Sequence, residues 1–177
     1  MTFKRFAIRF IPTFLAFPIG GELVVLTIGP VRSSIEALLS GAIVGLVLGL
    51  IQFIALRPLK VSPLWIWATG ISAALSNFAV ALAFGLDTDS ASLALRGLVT
   101  GIVVGAAQSF SQRLTARKII VWSFATGLTW TLAWLITSVV IVDFDYGYAI
   151  FGSSGALVAT LILTFLVPRV ITLEERV

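Results

Sequence analysis

The sequence contains no cysteine and no histidine. Without cysteine it has neither disulfides nor thiolate metal sites. Without histidine it lacks the commonest haem and chlorophyll ligand, the commonest general base and the two-histidine metal sites. Charge is scarce as well: Asp, Glu, Lys and Arg make up 11% of the 177 residues, against about 25% in a water-soluble domain. No nucleophile lies beside a base, no Gly-rich phosphate loop precedes a lysine, and no paired carboxylates fall inside an apolar segment. These gaps argue against an enzyme and leave no metal and no cofactor to expect.

What the chain does have is apolar sequence. Hydrophobic residues make up 59% of it, and the mean hydropathy is +1.09. A helix needs about 20 apolar residues to cross the hydrocarbon core. Six such runs can be placed, at about 6 to 29, 35 to 56, 63 to 86, 92 to 112, 119 to 142 and 147 to 167. The expected fold class is therefore all-α: a six-helix transmembrane bundle forming a single integral membrane domain over residues 1–177. The connections are too short to fold as a soluble catalytic or nucleic-acid-binding domain.

The pI near 10.1 comes with a net charge of only +4, which suits topology anchors better than a nucleic-acid surface. Lys and Arg near span ends set orientation. With a cytoplasmic N-terminus, Lys4, Arg5, Arg9, Arg57, Lys60, Arg113, Arg117, Lys118, Arg169 and Arg176, ten of the twelve basic residues, fall inside. Arg32, Arg96, Glu36, Asp87, Asp89, Asp143 and Asp145 fall on the other side. Both termini are thus expected in the cytoplasm, the membrane being a bacterial cytoplasmic (inner) or intracytoplasmic one. The first span follows Lys4, Arg5 and Arg9 as a signal peptide would, but its apolar run continues past Pro18 to Ile28 without a small-residue cleavage site, so it reads as a retained helix.

Inside this apolar sequence lies a tandem copy. Gly41, Gly45, Gly49, Gln52 and Arg57 recur 56 residues later as Gly97, Gly101, Gly105, Gln108 and Arg113. One residue of slippage on, Trp65-Ile66-Trp67-Ala68-Thr69-Gly70 recurs as Trp122-Ser123-Phe124-Ala125-Thr126-Gly127. The unit reads as an outgoing helix with the Ala-Thr-Gly segment and a returning helix with the spaced glycines. Two spans per unit insert every copy the same way round, giving parallel-oriented helical hairpins at approximately 6–57, 62–113 and 118–168. The first and last helices are weaker members: Phe17 to Gly20 keeps the aromatic-x-x-Gly spacing, and Thr164 falls at the glutamine position. Pro12 and Pro18 predict a kinked or locally unwound first helix, and Pro168 is expected to close the last.

Glycines four apart share one helix face and let another backbone approach to van der Waals contact. Gly41, Gly45, Gly49, Gly97, Gly101 and Gly105 are accordingly expected to be helix-packing positions. Trp65, Trp67 and Trp122 lie near the predicted cytoplasmic interface, where a belt role is the simplest reading. Trp130 and Trp134 are deeper, one turn apart, and suit packing.

Five residues are candidates for a polar site: Glu22, Gln52, Asn77, Arg96 and Gln108. An ionisable group in hydrocarbon costs at least about 2.5 kcal/mol, so it should face protein. Glu22 is the carboxylate well inside a span, with a bond to Arg96 as its expected structural role and a protonation or cation site as the functional alternative. Gln52 and Gln108 are expected to bond across a helix interface. Asn77 has no counterpart in the other copy, where Trp134 stands. The Asp87-Thr88-Asp89 and Asp143-Phe144-Asp145 pairs lack the ligand count of a calcium site and read as solvated loops.

The pattern Gly-xxx-Gly-xx-Gln followed by Leu56-Arg57, then Trp-x-(Trp/Phe)-Ala-Thr-Gly, resembles a group of uncharacterised small bacterial, cyanobacterial-type, polytopic membrane proteins built from tandem hairpins. The resemblance covers the second to fifth spans; Gln112 departs from it where Leu56 stands in the first copy. It implies fold and location and carries no substrate. Mitochondrial carriers also have three hairpins, but their Pro-x-Asp/Glu-xx-Lys/Arg signature is absent from this sequence. The leading expectation is a non-catalytic accessory or assembly subunit in contact with membrane lipid and other integral membrane proteins, and not with nucleic acid. The alternative is a small transporter or channel with a polar site around the first, second and fourth spans.

Overall fold

The computed structural model describes residues 2–140 and 152–171. Among the described residues, six helices are long and apolar enough to cross a bilayer. They are α1 (Phe3–Thr27), α2 (Ser34–Leu56), α3 (Leu64–Phe84), α4 (Ser90–Ser111), α5 (Ala116–Val140) and α6 (Ser153–Val170). Each departs by only a few residues from the hydropathy runs, except α6, whose expected start at 147 lies outside the described residues.

The prolines are placed where they cost little. α1 tightens to a 3-10 turn over Ile11–Leu15, with Pro12 in its first positions, and resumes as α-helix at Ala16. Pro18 then sits in the first turn of the resumed helix, where no intrahelical partner is required of its nitrogen. The expectation for Pro168 fails: α6 runs past it to Val170. One backbone bond, to the carbonyl four residues back, is missing near a helix end, which is not enough to stop the helix.

Side chains cap the N-termini of α2 and α4. Ser33 Oγ accepts from Glu36 N at 3.2 Å, and Glu36 Oε2 accepts from Arg32 N at 2.7 Å, close to a reciprocal capping box. Asp89 Oδ1 accepts from Ala91 N at 3.0 Å and Ser92 N at 3.1 Å at the start of α4.

Polarity is distributed as lipid requires. Ile71, Leu75, Leu82 and Leu128 are exposed, while Gln52, Thr69, Arg96 and Gln108 are buried. Where the solvent is hydrocarbon, polar groups gain by turning inward and leucines lose nothing outside. Consecutive helices pack side by side, and α6 closes on the 3-10 turn of α1, so the six spans form a closed bundle.

The closest packing pairs α2 with α3 and α4 with α5, across the boundaries of the hairpins drawn along the chain. A Cβ on Gly41 would lie 2.6 Å from Ala73 O, one on Gly45 2.7 Å from Ala73 Cβ, and one on Gly49 2.9 Å from Ile66 O. In the second copy a Cβ would lie 2.7 Å from Trp134 Cδ1 at Gly97, 2.8 Å from Gly127 Cα at Gly101 and 2.8 Å from Ser123 Cα at Gly105. Backbone therefore meets backbone at both faces. Gly155 of α6 approaches Ala133 O of α5 in the same way.

Candidate functional site

Three polar features lie in or on the bundle at successive depths. The first, near the end that carries Arg57 and Arg113, is a layer built by both copies. Gln52 Oε1 accepts from Trp65 Nε1 at 3.1 Å and from Gln108 Nε2 at 3.2 Å. Gln108 Nε2 also donates to Thr69 Oγ1 at 3.0 Å, and Gln108 Oε1 accepts from Trp122 Nε1 at 3.0 Å. Both amide hydrogens and the oxygen of Gln108 are thereby used, which fixes the orientation of its amide. The two indoles lie 6.4 Å apart between centroids.

The layer repeats the tandem copy in space, because each glutamine accepts from a tryptophan in the first two turns of the next helix. Thr69 and Thr126 complete it identically, each donating to the carbonyl of its tryptophan at 2.8 Å. Trp65 and Trp122 are 1% and 2% exposed, which corrects their expected place in an interfacial belt. At that depth an indole N–H has a stronger partner in a buried glutamine oxygen than at the surface. Trp67, exposed, keeps the outward position. The sequence did hold a signal for this layer: glutamine precedes tryptophan by 13 residues in one copy and by 14 in the other. Nothing in the layer titrates, so what it can do is bind helices together.

The second feature is a central cavity of about 40 Å³ bordered by Phe17, Ser40, Asn77, Thr100, Trp130 and Trp134. Such a space holds a few water molecules at most. Its polar side chains turn back on their own helices: Ser40 Oγ donates to Ala37 O at 3.0 Å, Asn77 Nδ2 to Ala73 O at 2.8 Å and Thr100 Oγ1 to Arg96 O at 2.6 Å. Trp130 meets Phe17 edge-on at 5.5 Å.

The third feature, toward the acidic end, separates two residues expected to pair. Arg96 is 2% exposed and its Nη2 donates to Gly85 O at 2.6 Å. Glu22 is exposed on α1. α1 and α4 do not touch, since α1 packs on α2 and α6 while α4 packs between α3 and α5. The expected Glu22–Arg96 bond is thus corrected: the helices that carry the two residues face different neighbours. Of the five candidates, the structure brings Gln52 and Gln108 into contact. Asn77 lies at the cavity, Arg96 beneath the α3–α4 connection and Glu22 on the outer face.

Asp87 and Asp89 lie in that connection. Hydrogen bonds from the Ser92 side chain and backbone hold the Asp89 carboxyl below the usual carboxylate range, which fits a cap and not a metal ligand. Among the described residues no group of three His, Cys, Asp or Glu comes together. Asp143 and Asp145 lie outside the described residues.

Six apolar spans with Gln52, Thr69, Arg96 and Gln108 turned inward define the class: an all-α, multi-pass integral membrane protein in contact with lipid. No family model, no curated protein and no solved structure matches the chain.

Proposed function

We propose that the chain is a non-catalytic subunit of a larger membrane assembly, an accessory or assembly protein that packs against other integral membrane proteins. The observation that carries this reading is the layer joining Gln52, Gln108, Trp65, Trp122 and Thr69. The best polar groups of the interior are consumed in bonding helices to one another. The central cavity beside them is small, and Glu22, the residue on which a transport site would centre, lies on the outside away from both glutamines. An interior given over to cohesion leaves the outer faces to carry the function. The basic end faces the cytoplasm in this reading, in a bacterial cytoplasmic or intracytoplasmic membrane, as the Lys and Arg distribution favours.

Mild solubilisation of native membranes followed by particle sizing tests the reading. A particle larger than the chain with its detergent, containing a second membrane protein in fixed proportion, is expected. A lone monomer would overturn it.

A further inference from the structure

Within α1, Ile19, Glu22 and Leu26 recur at intervals of three and four residues and therefore share one face. All three are exposed, Leu26 at 72%. The opposite side of the helix is occupied: a Cβ on Gly20 would lie 3.0 Å from Val44 Cα of α2, and the 3-10 turn packs on α6. Glu22 is therefore a carboxylate set in the middle of an apolar outer face.

Its depth follows from helix geometry. The 25 residues of α1 span roughly 38 Å at about 1.5 Å per residue, which exceeds the ~30 Å hydrocarbon core by about 4 Å at each end. Glu22 lies five residues before Thr27, about 7.5 Å in from the helix end and so inside the hydrocarbon. The exposed Leu26, one turn nearer the surface, marks lipid contact beyond it. Cα–Cβ bonds tilt toward a helix N-terminus, and the N-terminus of α1 is at the opposite end. The Glu22 side chain thus leaves the backbone toward the bilayer centre, which opposes its reaching the nearer surface.

A carboxylate so placed is stabilised by an opposite charge at the same depth. We propose that the Ile19–Glu22–Leu26 face docks a transmembrane helix of a different membrane protein, one that carries a lysine or arginine level with Glu22. This rests on the accessory-subunit reading and specifies its contact. A second copy of the chain does not meet the requirement. Two-fold pairing through this face sets Glu22 against Glu22, and the basic residue of comparable depth among the described residues, Arg96, is buried and engaged with Gly85 O. Arg32, the other basic residue at that end, lies outside the spans in the α1–α2 connection.

The test uses the full chain in phosphatidylethanolamine–phosphatidylglycerol vesicles with a synthetic leucine-rich transmembrane helix. The helix bears one lysine about five residues from each end, so that either orientation presents one at the depth of Glu22. Energy transfer should report association about five- to thirty-fold tighter than for the same helix with leucine in place of lysine. Glu22→Leu should abolish the preference and Glu22→Gln should reduce it, with the thermal transition of both variants unchanged because the side chain is exposed on the outer face. Equal association of the two helices, or a preference that survives Glu22→Leu, would overturn the proposal. In native membranes, a photoreactive residue at Leu26 should form an adduct with a different polypeptide that is lost in Glu22→Leu. An adduct with the mass of two copies of the chain would overturn the proposal. Adducts from Leu75 on α3 but not from Leu26 would overturn it too, while leaving the accessory reading intact.

Discussion

At the scale of single residues, the protein turns on one amide. Gln108 bonds Gln52, Thr69 and Trp122 at once, so its removal takes a hydrogen bond from buried partners on helices α2, α3 and α5 and leaves the Trp122 indole N–H without its acceptor. Gln108→Leu should destabilise the fold by about 1–2 kcal/mol, a range set by the cost of unmet buried hydrogen bonds and by the modest worth of such bonds in membranes. Asn77→Leu should cost less, since the Asn77 amide bonds a carbonyl of its own helix. Unfolding of both variants in mixed micelles measures the difference; equal costs would remove the layer from its central place. Both glutamines could be recognised from their recurrence in the repeat. Their partners could not, because an indole near a span end suits the lipid interface as well as a buried acceptor.

At the scale of elements, the glycine spacing decides how closely helices approach. A Cβ on Gly101 would meet Gly127 Cα and Thr126 O, both at 2.8 Å. These are backbone atoms and cannot rotate away. Gly101→Val should therefore cost at least about 2 kcal/mol through forced separation of α4 and α5. Val103→Ala, at a lipid-exposed position of the same helix, should stay within about 0.5 kcal/mol. Thermal unfolding of the two variants in bicelles checks the contrast. That the glycines mark tight faces was readable from their period of four. Which helix each face meets was not, because the tandem copy runs returning helix first and the chain offers two neighbours to both α2 and α4.

At the scale of the molecule, closure of the bundle makes the α3–α4 connection dispensable for assembly. Fragments separated between Asp87 and Thr88 keep three spans each and retain the whole of the α2–α3 and α4–α5 interfaces. The Gln52–Gln108 and Thr69–Gln108 bonds then rejoin them, together with the contact between α6 and the 3-10 turn of α1. Co-expressed, the fragments should be retrieved together through an affinity tag on either one. Retrieval of the tagged fragment alone would show that the layer does not bind the halves. The same closure explains why Glu22 and Arg96 never meet: α1 and α4 sit at separate places around the bundle, each flanked by its own neighbours.

Composition and hydropathy by themselves determined that this is a membrane protein of six spans, where those spans run and which glycines and glutamines recur. Transfer of a segment into lipid is a sum over its own residues and needs no partner to be evaluated. The tertiary structure alone decided that α2 grips α3 and α4 grips α5, that the two glutamines bond to each other between tryptophans, and that Glu22 looks outward. Those outcomes depend on the rotation of each helix about its axis. In a solvent as apolar as leucine, hydrophobic periodicity carries no instruction about which face turns in.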